Sequence, residues 1–104
     1  MLSILIPVYN EERTIVDVLN KVQGVSLIND LKKEIVIVND CSTDSSESII
    51  MNYISNTKKN NIQYYSFDKN MGKGAAIRKA ITKAKGDFII VQDADLEYDP
   101  NEYN

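Results

Sequence analysis

Two four-residue runs, Ile35-Val36-Ile37-Val38 and Phe88-Ile89-Ile90-Val91, are apolar at every position, and that continuity constrains the fold more than any other feature of the chain. A strand with one wet face alternates apolar and polar residues. A strand that is apolar throughout is expected to be covered on both faces, as in a parallel sheet between helical layers. Two further β-rich runs complete a set of four expected strands: Leu2–Val8, Glu34–Asn39, Asn61–Phe67 and Asp87–Gln92. Between them apolar residues recur at helical spacing, first Ile15, Val18, Leu19 and Val22, then Ile49, Ile50, Tyr53 and Ile54, then Ala76, Ile77, Ala80, Ile81 and Ala84. Asn10 is placed to cap the first helix and Ser42-Thr43-Asp44 to open the second. Gly86 is placed to end the third, behind Lys83 and Lys85, which suit a helix C-terminus. This alternation predicts βαβ units with right-handed crossovers. The expected fold is α/β, three layers (α/β/α), with a four-stranded parallel sheet in the order 3-2-1-4.

Composition narrows the chemistry. The chain of 104 residues, 43% hydrophobic and 26% charged, is expected to form one domain over residues 1–104 with a single core. A net charge of −3 argues against a nucleic-acid partner, which usually meets a basic face. Cys41 is the only cysteine and histidine is absent, so disulfides within the chain, cysteine zinc sites and histidine chemistry are excluded. Any catalysis has to run on carboxylates, Lys, Arg, Tyr, hydroxyls and backbone amides. No apolar run approaches the roughly 20 residues of a membrane span. The apolar N-terminus lacks the basic flank and cleavage site of a signal peptide, so a cytoplasmic location with a free Cys41 thiol is expected. Asp99-Pro100-Asn101-Glu102 has the capping residue, first-turn proline and glutamate of a helix start. The sequence ends at Asn104, within one turn, so the chain is expected to be the front part of a longer protein.

With the order 3-2-1-4 the sheet reverses direction between its first and fourth strands, where ligands of open parallel sheets bind. Three polar loops are expected there: Pro7-Val8-Tyr9-Asn10-Glu11, Asn39-Asp40-Cys41-Ser42-Thr43-Asp44, and Asp93-Ala94-Asp95-Leu96-Glu97. Asp93 and Asp95 are spaced to share one hard cation, Mg²⁺ or Mn²⁺, with phosphate and water completing its shell; on spacing alone the pair also fits a solvated strand-end loop. An EF-hand is excluded, because Tyr98 stands where that loop needs glycine. Asn70-Met71-Gly72-Lys73-Gly74-Ala75-Ala76 puts a glycine-flanked lysine at a helix start, a diphosphate contact or merely a shaped loop, and it lacks the remaining positions of a Walker A loop. Asp40 could accept hydrogen bonds from a nucleobase or cap a helix. Tyr9 could stack on a base or cover the sheet edge, and Glu11 could line the site or complement a helix dipole.

Together these four segments, in this order and spacing, resemble glycosyltransferase family 2 with its GT-A fold, and among its members the polyprenyl-phosphate (dolichyl-phosphate-type) mannosyl- and glucosyltransferases. The resemblance implies a truncated, Rossmann-like GT-A domain holding the N-terminal nucleotide-sugar-binding part. It implies that Pro7, Tyr9 and Glu11 line the nucleoside pocket, that Asp40 binds the base and that Lys73 approaches the nucleotide portion of the donor. Asp93 would lie near ribose and metal, and Asp95 would be the principal ligand of Mg²⁺ or Mn²⁺ on the donor diphosphate. The implied reaction moves a sugar, with inversion, from a UDP- or GDP-sugar to a polyprenyl phosphate or a glycan, in a full-length protein associated with the cytoplasmic face of a membrane. The catalytic base is expected beyond Asn104, so this chain alone is expected to be inactive. Asn39 and Cys41 depart from the family's more usual Asp and Gly, and Cys41 is expected to alter a turn suited to glycine. Two other classes remain open: a nucleotide-binding module without chemistry, and a Mg²⁺-dependent phosphatase of dehalogenase type using Asp93 as nucleophile. The uncharged fourth strand is expected at the sheet edge, where it would drive self-association.

Overall fold

In the computed structural model, residues 1–24, 32–57 and 61–94 are described. They alternate strand and helix throughout: β1 (Leu2–Val8), α1 (Ile15–Gly24), β2 (Lys33–Asn39), α2 (Ser46–Asn56), β3 (Ile62–Ser66), α3 (Lys73–Lys83) and β4 (Phe88–Val91). The four strands form one parallel sheet in the order β3-β2-β1-β4. Ile4 sits beside Ile35 and Ile90, and Ile35 beside Ile62, so side chains of one face align across the sheet.

The register divides the core into two layers. Ile4, Ile6, Val8, Ile35 and Ile37 point to one face and pack with Ile15, Val18, Leu19 and Val22 of α1 and Ile50 of α2. Leu5, Val36 and Val38 point to the other face, against Ala76 and Ala80 of α3. Small alanines let α3 lie close over β1 and β2. Every residue of β2 from Glu34 onward is buried, as its unbroken apolar run requires.

β4 departs from expectation. Its run is as apolar as that of β2, yet its four residues are 44–64% exposed. The reason is position. β4 pairs with β1 along one edge only, and among the described residues no strand flanks its other edge. The helices lie over β1, β2 and one another.

Two local expectations are corrected as well. Asn10 does not cap α1; it has φ +54 and turns its side chain toward the loop after β2. Gly86 does not end α3, which stops at Lys83 with Ala84 already extended. Gly86 is instead a point of close approach, since a Cβ there would sit 2.5 Å from Ser3 Oγ and 2.6 Å from the carbonyl of Met1. Cys41, in the turn expected to suit glycine, adopts the left-handed conformation, φ +57. Asp95 and the helix start expected at Asp99-Pro100-Asn101-Glu102 lie outside the described residues.

Candidate functional site

The site begins where β1 and β4 part. In parallel strands a residue's N–H and C=O point to the same neighbour, and the carbonyl of Leu5 accepts from Gln92 N–H at 2.9 Å. Pro7, two residues on, faces the same way and has no N–H to give. The ladder stops, and a cleft of about 350 Å³ opens beyond the carboxyl ends of the two strands. This is the topological switch point of the sheet, and the volume lies within the usual range of small-molecule sites.

Six residues singled out from the sequence line this cleft: Pro7, Tyr9, Glu11, Asp40, Lys73 and Asp93. The seventh, Asp95, is outside the described residues. The remaining wall comes from Val8, Asn70, Gly72, Ala76 and Ala94.

The loops after β1 and β2 are joined by hydrogen bonds that local sequence does not reveal. Asn10 Oδ1 accepts from the N–H groups of Thr43 (2.7 Å) and Asp44 (3.2 Å), and Asn10 N–H donates to Ser42 Oγ. Glu11 N–H donates to the buried Ser46 hydroxyl at 2.8 Å. Asp44 accepts from the N–H groups of Ser46 and Glu12. Burial pushes the Asp44 carboxyl up, but hydrogen bonds from Ser46 and Glu12 outweigh it and hold the pKa below the usual aspartate value. Asp44 therefore serves the first turn of α2, where Ser42, Thr43 and Asp44 were all candidates. Asn39 is buried beneath; its oxygen accepts from Ser42, and its NH₂ donates to Tyr64 Oη, whose own O–H donates to Glu47. An aspartate at 39 could not make that donation.

Asp40 is not a cap of α2. It is buried, and its two oxygens accept from the N–H groups of Met71 (2.6 Å) and Gly72 (2.9 Å). The carboxylate thereby fixes the segment that leads into α3, where Gly72 needs a positive φ of 93°. Lys73, the first residue of α3, is ion-paired with Asp93 across the cleft. Thr14, which no sequence pattern marked, donates its hydroxyl to the carbonyl of Ala94 at 2.7 Å and ties the chain after β4 to the start of α1.

The donor set suits a hard divalent cation shared with a ligand. Asp93 offers carboxylate oxygens at the mouth of the cleft, and its pairing with Lys73 already places a cation against them. No group of three or more His, Cys, Asp or Glu that could hold a metal occurs among the described residues. Mg²⁺ and Mn²⁺ sites of this kind rely on one or two carboxylates and take their other oxygens from phosphate and water.

Comparison with known proteins places the chain in a family. The dolichyl-phosphate beta-glucosyltransferase of Dictyostelium discoideum is 28% identical over 110 residues, covering 99% of this chain and 33% of its own. The solved structure of the mannosyltransferase PcManGT from Pyrobaculum calidifontis, in complex with GDP-Man and Mn²⁺, superposes with a TM-score of 0.83 at 26% identity, over 90% of this chain and 27% of that one. S. aureus TarS 1-349 in complex with UDP-GlcNAc gives a TM-score of 0.78 at 30% identity, over 90% and 26%. The chain thus spans about a third or less of the length of each of these three proteins. The family model for glycosyl transferase family 2 matches residues 3–104. With a GT-A-type sheet and a matching family model over nearly its whole length, the chain belongs to glycosyl transferase family 2.

Proposed function

We propose that this chain forms the donor-binding part of a glycosyltransferase that moves a sugar, with inversion, from a nucleotide-diphospho-sugar to an acceptor, a polyprenyl phosphate or a glycan. The observation that carries the reading is convergence. Six positions from four separate segments of the chain, each implied by the family resemblance, line one cleft at the switch point of the sheet. GDP-Man and Mn²⁺ in one structural neighbour and UDP-GlcNAc in another support a nucleotide-sugar as ligand. The dolichyl-phosphate relative supports a lipid-phosphate acceptor; a working place at the cytoplasmic face of a membrane is part of the same proposal. The dehalogenase-type alternative needs its Asp-x-Asp on the first strand, whereas Asp93 follows β4.

In this reading Pro7, Tyr9 and Glu11 border the nucleoside and Asp40 meets the base. Asp40 has acceptor capacity left, because a carboxylate offers about four lone-pair sites. Lys73 approaches the donor phosphates from the N-terminus of α3, where N–H groups also favour anions. Asp93 and Asp95 would hold Mg²⁺ or Mn²⁺; when bound, the cation neutralises charge on the leaving diphosphate. The proton-accepting group toward the acceptor is assigned to no residue of this chain, and the chain alone is expected to bind without turnover. We also propose that the chain self-associates through β4.

Calorimetry with UDP and GDP, each with and without Mn²⁺ or Mg²⁺, tests the donor reading. One nucleotide should bind more tightly when metal is present, and Asp95→Ala should remove that increment without loss of helical signal. Equal affinity with and without metal in the wild-type chain would overturn the metal assignment. Absence of binding by either nucleotide would overturn the donor site.

A further inference from the structure

Lys73 and Asp93, proposed above to serve phosphate and metal, form an ion pair across the cleft. The geometry points to Lys73 as an internal counter-ion: we infer that Asp93 gives up the Lys73 ammonium in exchange for a divalent cation when nucleotide and metal bind, and that Lys73 then turns to a donor phosphate oxygen. The inference rests on the donor-site reading and adds an exchange of partners to it.

Three features make the exchange feasible. The pair is half exposed, 61% for the lysine side chain and 46% for the aspartate, and exposed ion pairs are held only weakly. The backbone on the lysine side is fixed, because buried Asp40 grips the N–H groups of Met71 and Gly72 immediately before it. The backbone on the aspartate side is fixed too, by Gln92 N–H on Leu5 and by the Thr14 hydroxyl on Ala94. Movement is thus confined to the four-carbon stem of Lys73, a flexible carrier of a compact charge.

The consequence is coupling. Metal alone has to displace the ammonium from Asp93, and nucleotide alone has to draw Lys73 away from Asp93. When both bind, the pair is broken once for two gains, so each ligand raises the affinity for the other.

Binding of Mn²⁺, followed by electron paramagnetic resonance of the free ion with and without GDP or UDP, tests this on the full chain. Lys73→Met should bind Mn²⁺ alone roughly 3–10-fold more tightly than wild type, the factor expected for relief of a half-screened charge. It should bind nucleotide without metal more weakly, and its coupling between the two ligands should shrink. Lys73→Arg keeps the charge and should leave Mn²⁺ affinity near wild type. Lys79→Met should do the same, since Lys79 lies 5.7 Å from the Tyr65 ring and outside the cleft. Unchanged or weaker Mn²⁺ affinity in Lys73→Met, with nucleotide still bound, would overturn the counter-ion role and leave the donor site standing. If wild type binds neither nucleotide nor Mn²⁺, both ideas fall together.

Discussion

Asp40 has a structural duty that its local sequence did not mark. From sequence it was open between reading a base and capping α2, and the structure gives its carboxylate to the N–H groups of Met71 and Gly72 instead. Asp40→Asn replaces one accepting oxygen by an NH₂ that would face a backbone donor. Loss of a hydrogen bond to a charged group, with a buried N–H left unpaired, costs about 1.5–3 kcal/mol. The variant should therefore melt several degrees lower and also bind nucleotide more weakly per folded molecule. Thermal melts paired with calorimetry on the folded fraction check both, and an unchanged melting temperature would mean that the grip on the α3 lead-in adds nothing. Cys41 is a related case. Its left-handed backbone costs a non-glycine residue on the order of 1 kcal/mol, so the turn is made at some expense in stability.

At the scale of elements, the end of the sheet opposite the cleft is held by one buried carboxylate. Glu34, at the start of β2, accepts from Ser3 Oγ at 2.6 Å, from Gln63 Nε2 at 2.7 Å and from the N–H of Lys85, while Ser3 Oγ accepts from Gly86 N–H. This cluster joins β1, β2, β3 and the turn between α3 and β4, and it is why Gly86 must come so close to Ser3. Burial pushes the Glu34 pKa up, but the hydrogen bonds from Ser3, Lys85, Gln63 and Gly86 outweigh it and the pKa ends below the usual glutamate value. A carboxylate with a lowered folded pKa contributes stability that is complete above its unfolded value and lost as pH falls through the folded one. Stability should thus decline below about pH 5. Glu34→Gln should be less stable at pH 7 by about 1.5–3 kcal/mol and should lose less on acidification, keeping the contribution of Asp44, which has the same sign. Urea midpoints at pH 7, 5 and 3.5 measure the difference; parallel declines in the two proteins would remove Glu34 as the acid-sensitive group.

At the scale of the whole molecule, β4 is the exposed flank. Phe88, Ile89, Ile90 and Val91 carry neither charge nor proline and are all exposed, which leaves, among the described residues, a free edge without the features that discourage pairing with another chain. The 11.8 kDa chain should run as a larger species in light scattering, and Ile89→Lys with Ile90→Lys, charging both faces of the strand, should return it to monomer. A monodisperse wild-type monomer would overturn self-association. Sequence by itself determined the alternation of strand and helix, the parallel sheet and the loops that meet at the cleft, because periodicity and chain order follow from residues close together. It also marked six of the cleft residues, through motifs whose spacing survives in one chain. Only the tertiary structure decided that Asn10 serves the loop after β2, that Asp40 holds the start of α3, that Lys73 faces Asp93 and that Thr14 meets Ala94. It also decided which of two identical-looking apolar runs is covered. Those outcomes depend on partners tens of residues away: an apolar pattern reports that a strand can be buried, but its place in the sheet sets whether anything lies against it.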